Sequence, residues 1–185
     1  MTDAPAPAAS AGLVADADDD LPPPDPERIV ELLAGALARL HDLGAADGVP
    51  TVSAPALVER ARAAVADGWG PDPVGPYAHM AADRLLGVLE SGLDSVDAPL
   101  VLTHGRPTVE RLRVRSGAGA LVGWEHAALA DPYRDLAIAA QDLASSIGPM
   151  LVPLLFERYR AARPAAGDAA PRRLDWYVLA GQFGS

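Results

Sequence analysis

The chain contains no cysteine, no lysine and no asparagine. Without cysteine there is no disulfide framework, no thiolate zinc site and no thiol nucleophile. Without lysine no ammonium group can hold phosphates, and without asparagine that side-chain amide cannot ligate a hard cation. All fifteen basic residues are therefore arginine, in a sequence dominated by Ala, Arg, Gly and Pro, as expected of a GC-rich genome. No run approaches the roughly 18 consecutive apolar residues of a membrane span, so no membrane partner is expected. The N-terminus has no basic region followed by an apolar core, so no secretory signal is expected and a cytoplasmic location is. A net charge of −10 argues against nucleic acid as a partner, because phosphate neutralisation needs the opposite sign.

What is present suffices for one domain: 185 residues, half of them hydrophobic, can bury one sizeable core. Residues 1–26 hold six Asp and no basic residue among Ala and Pro, so this segment is expected to be a disordered, solvating tail, with the folded domain over 27–185. Asp25-Pro26 is a helix entry, followed by a stripe of Ile29, Leu32, Leu33, Ala36, Leu37 and Leu40 and closed by Gly44. A second helix is expected over Pro55 to Ala66, a breaker-rich loop over Gly68 to Pro76, and a third helix over Tyr77 to Ser91 with Met80, Leu85, Val88 and Leu89 inward. Further helices are expected over Asp131 to Ser145, from Gly148-Pro149 onward with Leu151, Leu154, Leu155 and Tyr159 on one face, and from Pro171 to near Phe183.

The stretch from Pro99 to Ala137 organises the rest. It reads as a short strand (Leu100 to Leu102), a loop opened by His104-Gly105, and a hairpin pairing Leu112 and Val114 with Ala120 to Val122 across Ser116-Gly117-Ala118-Gly119. Trp124-Glu125 and a helix entry, Asp131-Pro132-Tyr133-Arg134-Asp135, complete it. This order resembles the catalytic core of the aminoglycoside phosphotransferases, and Tyr133, Asp135 and Trp176-Tyr177 look closest to their kanamycin-kinase (3′-phosphotransferase) branch. The resemblance covers about Pro26 to Ser185 and implies a mainly α (α+β) fold: a protein-kinase-like C-terminal lobe, helices around a small β-hairpin. The β-rich lobe that covers the nucleotide in the family is expected to be absent.

Phosphoryl transfer needs a carboxylate to orient the hydroxyl, magnesium ions held by Asp and Asn, and cationic contacts to phosphates. The resemblance puts the catalytic base directly after His-Gly, where this chain has Arg106, and a metal-binding Asn five residues on, where it has Arg111. The second metal ligand falls eight residues before Asp131, at Gly123. The acidic contacts to a polycationic sugar fall in the loop that retains only Asp72 and at Gly181 and Gln182. Arginine accepts no proton and repels a divalent cation, and glycine has no ligand atom. Catalytic and metal residues are accordingly expected to be none. The retained positions are scaffold: His104, Gly105, Asp131, Tyr133 and Asp135, the last resembling the family's helix Asp that hydrogen-bonds the catalytic-loop backbone.

Other residues invite weighing. Glu125 and Asp131 are imaginable as a substitute metal pair, and His126 beside Glu125 as an acid–base group, although a surface histidine on a loop is the commoner case. His41 and His79 are read as helical packing or solvent-facing residues, and Trp69, Trp124 and Trp176 as core or lid aromatics. Arg106, Arg111, Arg113 and Arg115 form a local basic cluster, imaginable as an anion site, although alternating arginine on a hairpin is usually a solvated face. The sequence thus favours a noncatalytic relative, a pseudoenzyme or truncated binding or regulatory module for an unidentified small molecule or protein, with no cofactor. The alternative is an ATP- and magnesium-dependent small-molecule O-phosphotransferase completed by another chain or by substitute residues.

Overall fold

A computed structural model of the chain describes residues 25–44, 48–96, 98–168 and 170–184. The disorder expected over 1–26 falls outside these residues, except at Asp25 and Pro26. Those two open the first helix, α1 (Pro26–Asp42): the Asp25 side chain accepts the Arg28 N–H at 2.8 Å and proline takes the first turn. Val30, Leu33, Leu37 and Leu40 recur at helical spacing and are fully buried. Each such side chain contributes about 1.5–3 kcal/mol of burial, so α1 is the central post of the core. Gly44, just past its end, has the left-handed φ of 75° expected of a closing glycine.

The remaining elements are β1 (Thr51–Val52), α2 (Ala54–Ala66), α3 (Ala82–Ser91), β2 (Val101–Thr103), β3 (Leu112–Arg115), β4 (Ala118–Leu121), β5 (Ala128–Ala130), α4 (Pro132–Ser146), α5 (Val152–Ala162) and α6 (Pro171–Ala180). The fold is mainly α, as expected, with α1 packed chiefly on α5 and on the β3–β4 hairpin, and α4 on α6. A second, three-stranded sheet was not foreseen. Its order is β1-β5-β2, with β1 parallel to β5 (Thr51 opposite Leu129) and β2 antiparallel to it (Val101 opposite Ala130). Strands of two and three residues leave no alternation to read from sequence, and only the pairing itself defines them.

Three other expectations need correction. The hairpin turn is two residues, Ser116 (φ 48°) and Gly117 (φ 76°), whose consecutive left-handed backbone matches strand twist; Ala118 and Gly119 belong to β4. The third helix begins at Ala82, because after Pro76 the chain runs through turns in which Gly75 and Tyr77 carbonyls accept the Ala78 and Met80 N–H groups. His79 therefore lies in a turn, exposed, and Val88 faces solvent (48 % exposed) while Leu85 and Leu89 are buried. The fifth helix is preceded by a single 3-10 turn, Pro149–Leu151, and the last ends in another, Gly181–Phe183.

Gly119 explains how the hairpin sits on α1. A side chain there would collide with the Leu32 backbone, so only glycine allows this approach. Arg28 and Arg39 then reach from α1 to the Gly117 and Gly119 carbonyls, at 2.7 and 2.5 Å.

Candidate functional site

The loop leaving β2 is held from below by one carboxylate. Asp135, fully buried one turn into α4, accepts the His104 N–H on Oδ2 at 2.7 Å and the Gly105 N–H on Oδ1 at 2.8 Å. His41, from α1, lies against the same Oδ2 at 3.2 Å through Nε2. Burial alone would raise the Asp135 pKa; the His41 hydrogen bond and charge and the two backbone N–H groups outweigh it and hold the carboxyl below its ordinary range. The other His41 nitrogen meets the Tyr159 hydroxyl at 2.7 Å, and Arg163 donates to that hydroxyl at 3.3 Å. A continuous polar chain thus runs from α5 through α1 to the loop. Burial and the loss of water push the Tyr159 phenol up to about 12, against the opposing charge of Arg163.

His104 is fixed on both sides. Its Nδ1 accepts the Arg106 N–H at 3.3 Å, which leaves Nε2–H to donate to the Val122 carbonyl at 3.0 Å, and its ring meets Trp124 edge-on. Burial lowers its pKa, so it is a neutral structural imidazole. Gly105 has a φ of 81° and lies so close to the His126 carbonyl and the Arg134 guanidinium that a Cβ would clash with both. Arg106 follows it, exposed.

The two positions that the resemblance gives to metal ligands are in contact. The Arg111 guanidinium lies on Gly123, donating to its carbonyl at 2.8 Å and pairing with Glu125 at 2.5 Å. Gly123 is left-handed (φ 80°), and a Cβ there would run into Arg111. The Glu125 pKa is lowered by its own backbone N–H and by Arg111. The donor set does not fit magnesium: a permanent cation stands between the positions, and among the described residues no three His, Asp or Glu side chains converge. Glu125 and Asp131 do not form a substitute pair either, since each holds a different arginine.

Asp131 caps α4 by accepting the Tyr133 N–H at 2.8 Å and pairs with Arg173 at 2.6 Å. Arg173 also stacks on the Tyr133 ring, 4.4 Å from its centroid, and the Tyr133 hydroxyl accepts the Ala170 N–H at 2.7 Å. These residues fasten α6 and the loop before it to α4. Asp72 is exposed and occupied with a local turn, accepting the Val74 N–H at 2.9 Å. Trp69 packs against Phe183 with ring centroids 4.2 Å apart, which brings that loop to the turn carrying Gly181 and Gln182, and the Gln182 amide donates to the Val178 carbonyl. The arginine cluster is not one face: Arg111 turns in to Gly123, whereas Arg113 folds back on the Glu110 and Leu112 carbonyls.

Sequence reasoning missed three site residues. His41 had a signal, its place at the end of the first helix, but its partner is 94 residues away. Asp142, two turns beyond Asp135 on α4, accepts the Val109 N–H at 2.7 Å and secures the far end of the loop. Arg134 turns its guanidinium to the Thr103 hydroxyl and the His126 carbonyl, at 3.2 and 3.4 Å.

Comparison with known proteins agrees with this architecture. The chain aligns over 98 % of its length, at 22 % identity and a TM-score of 0.71, with an aminoglycoside-3′-phosphotransferase of type VIII, of which it covers 67 %. It aligns over 91 %, at 20 % identity and a TM-score of 0.71, with the aminoglycoside phosphotransferase APH(3'')-Id of Streptomyces rimosus in complex with ADP and streptomycin, again covering 67 %. A Plasmodium vivax ethanolamine kinase aligns over 85 % at 13 % identity and a TM-score of 0.59, with 52 % of it covered. The chain thus spans between half and two thirds of these proteins, and at such identities the likeness is one of fold. No curated protein matches the chain. No helix among the described residues is long and apolar enough to cross a membrane. The sequence profile described as "APH: Phosphotransferase enzyme family" matches residues 9–177, and the chain belongs to that family.

Proposed function

We propose that this member of the phosphotransferase family is noncatalytic and serves as a binding or regulatory module. The observation that carries the reading is the Arg111 guanidinium seated on Gly123 and paired with Glu125. Metal-bound charge neutralisation and positioning supply most of the barrier reduction in phosphoryl transfer. The Arg111 guanidinium supplies positive charge there, but it is engaged by the Gly123 carbonyl and by Glu125 and is no exchangeable metal ion. Arg106, at the position of the base, cannot accept the proton of an attacking hydroxyl. No cofactor is needed for the role, and the ligand is a small molecule or protein rather than nucleic acid or membrane.

A second reading has one observation in its favour: Asp135, His104 and Asp142 still hold the loop at both ends. A loop so braced would suit an ATP- and magnesium-dependent O-phosphotransferase whose missing groups come from another chain. A coupled ADP-release assay with magnesium and ATP, with and without kanamycin, separates the two. The noncatalytic reading expects no sugar-dependent turnover, and sugar-dependent ADP release by the purified chain would overturn it.

A further inference from the structure

A groove of about 430 Å³ runs between α3 and α6, with Tyr77 and Met80 added to its lining from the turns before α3. Its wall is apolar: Met80, Leu85, Val88, Trp176 and Leu179 face it. Leu85 and Trp176 are buried, whereas Val88 is 48 % exposed, so the groove is open to solvent beside α3. The Trp176 indole is fixed there. Its N–H donates to the Leu89 carbonyl at 2.8 Å, and Gly92 lets the ring close on the end of α3, since a Cβ would come within 2.7 Å of it. With that N–H engaged, the indole offers the groove only ring surface. The Ser91 and Ser95 hydroxyls are engaged likewise, donating to the Val88 and Gly92 carbonyls. Two charged side chains remain on the lining, Arg172 and Asp175, exposed and one turn apart on α6. Of the charged residues on α6, only Arg173 is in an ion pair among the described residues, with Asp131. Burial, and then the Asp175 charge, raise the Tyr77 pKa, so the field of this carboxylate reaches the phenol on the same lining. None of the positions that the resemblance gives to the base, the metal or the sugar lines the groove.

We propose that this groove binds a free amino acid with a large apolar side chain, held by that side chain on Leu85, Val88 and Trp176 and by its ammonium and carboxylate groups on Asp175 and Arg172. The size falls within the about 300–1,000 Å³ of small-molecule sites, which are mostly apolar with a few placed polar groups. The charges select the class. A ligand with an amine alone would meet the Arg172 cation, and one with a carboxylate alone would meet Asp175, whereas a zwitterion answers both. A polycationic sugar matches neither the apolar wall nor the guanidinium. The proposal rests on the binding-module reading and deepens it by naming a ligand class.

The test is calorimetric titration of the full chain with L-phenylalanine, with 2-phenylethylamine, 3-phenylpropionate and glycine as separate arms. Phenylalanine should bind saturably. Each of the others lacks its carboxylate, its ammonium or its side chain, and should bind about tenfold more weakly or worse, which corresponds to about 1.4 kcal/mol. Asp175→Asn and Arg172→Gln should each lose about as much. Both side chains are exposed and outside the ion pairs of the described residues, so folding is preserved and the loss reads on binding. The Met80 methyl resonance should move during the titration, and that of Met150, 86 % exposed and outside the groove, should not. No saturable phenylalanine binding, equal binding of 2-phenylethylamine, undiminished binding by either variant, or an unmoved Met80 methyl would overturn the site. Magnesium and ATP are titrated separately: EDTA-sensitive binding there would sink the noncatalytic reading, whatever phenylalanine does.

Discussion

Replacing Asp135 by alanine should be among the most damaging single changes to this protein. The carboxylate is fully buried and receives the His104 N–H, the Gly105 N–H and the His41 imidazole. Each donor left unpaired in the interior costs about 1–3 kcal/mol, and breaking a buried charged pair typically costs about 3–5 kcal/mol. We expect Asp135→Ala to lose roughly 3–5 kcal/mol, a large part of the about 5–15 kcal/mol of a whole domain. Asp135→Asn keeps one acceptor oxygen and should lose about half as much. Urea unfolding followed by circular dichroism gives the difference from the midpoint shift, provided the slope is unchanged. The sign of the pH dependence follows from the same geometry. The folded pKa is depressed, so the stabilisation is fully present above the unfolded value of about 3.9 and is lost as pH falls through the folded value. A loss below about 1 kcal/mol in Asp135→Ala would refute the reasoning, since surface carboxylates already lie in that range.

Gly123→Asp should be destabilising by about 1–3 kcal/mol, from left-handed backbone and collision with Arg111; adding Arg111→Asn should recover part of the loss, read as a coupling energy in thermal unfolding. Gly119→Ala should cost about 1–3 kcal/mol by forcing the hairpin off α1, and an unchanged melting temperature would contradict the packing described. Tyr159, raised to about 12, contributes stability that is complete below the unfolded value of about 10 and is lost as pH rises through 12; Tyr159→Phe should flatten that alkaline arm in denaturant titrations. Arg106→Asp, alone or with Arg111→Asn and Gly123→Asp, should release ADP no faster with kanamycin than without it, and sugar-dependent turnover in any of these variants would contradict the account.

Much of the fold was legible because helices carry their own punctuation. Asp25-Pro26, Asp131-Pro132 and Gly44 mark ends that local backbone chemistry enforces. The His104-Gly105 loop and Asp135 were legible only through family resemblance, because the hydrogen bonds joining them span about 30 residues. What stayed hidden depends on tertiary contact. β1 and β5 exist by pairing with each other, the start of α3 is set by turns after Pro76, and Arg134 matters because of the groups beside it. Arg111 and Gly123 were legible as the positions that the resemblance gives to metal ligands; that the one covers the other was not, since nothing in a sequence aims a side chain.

The central claim is that a guanidinium has replaced the metal, and magnesium-dependent ATP binding tests it most directly. Calorimetric titration of the purified chain with ATP in excess magnesium, repeated in EDTA, should show no magnesium-dependent heat. Saturable micromolar binding that disappears with EDTA would mean that a metal is held despite Arg111 and Gly123, and the account would be wrong.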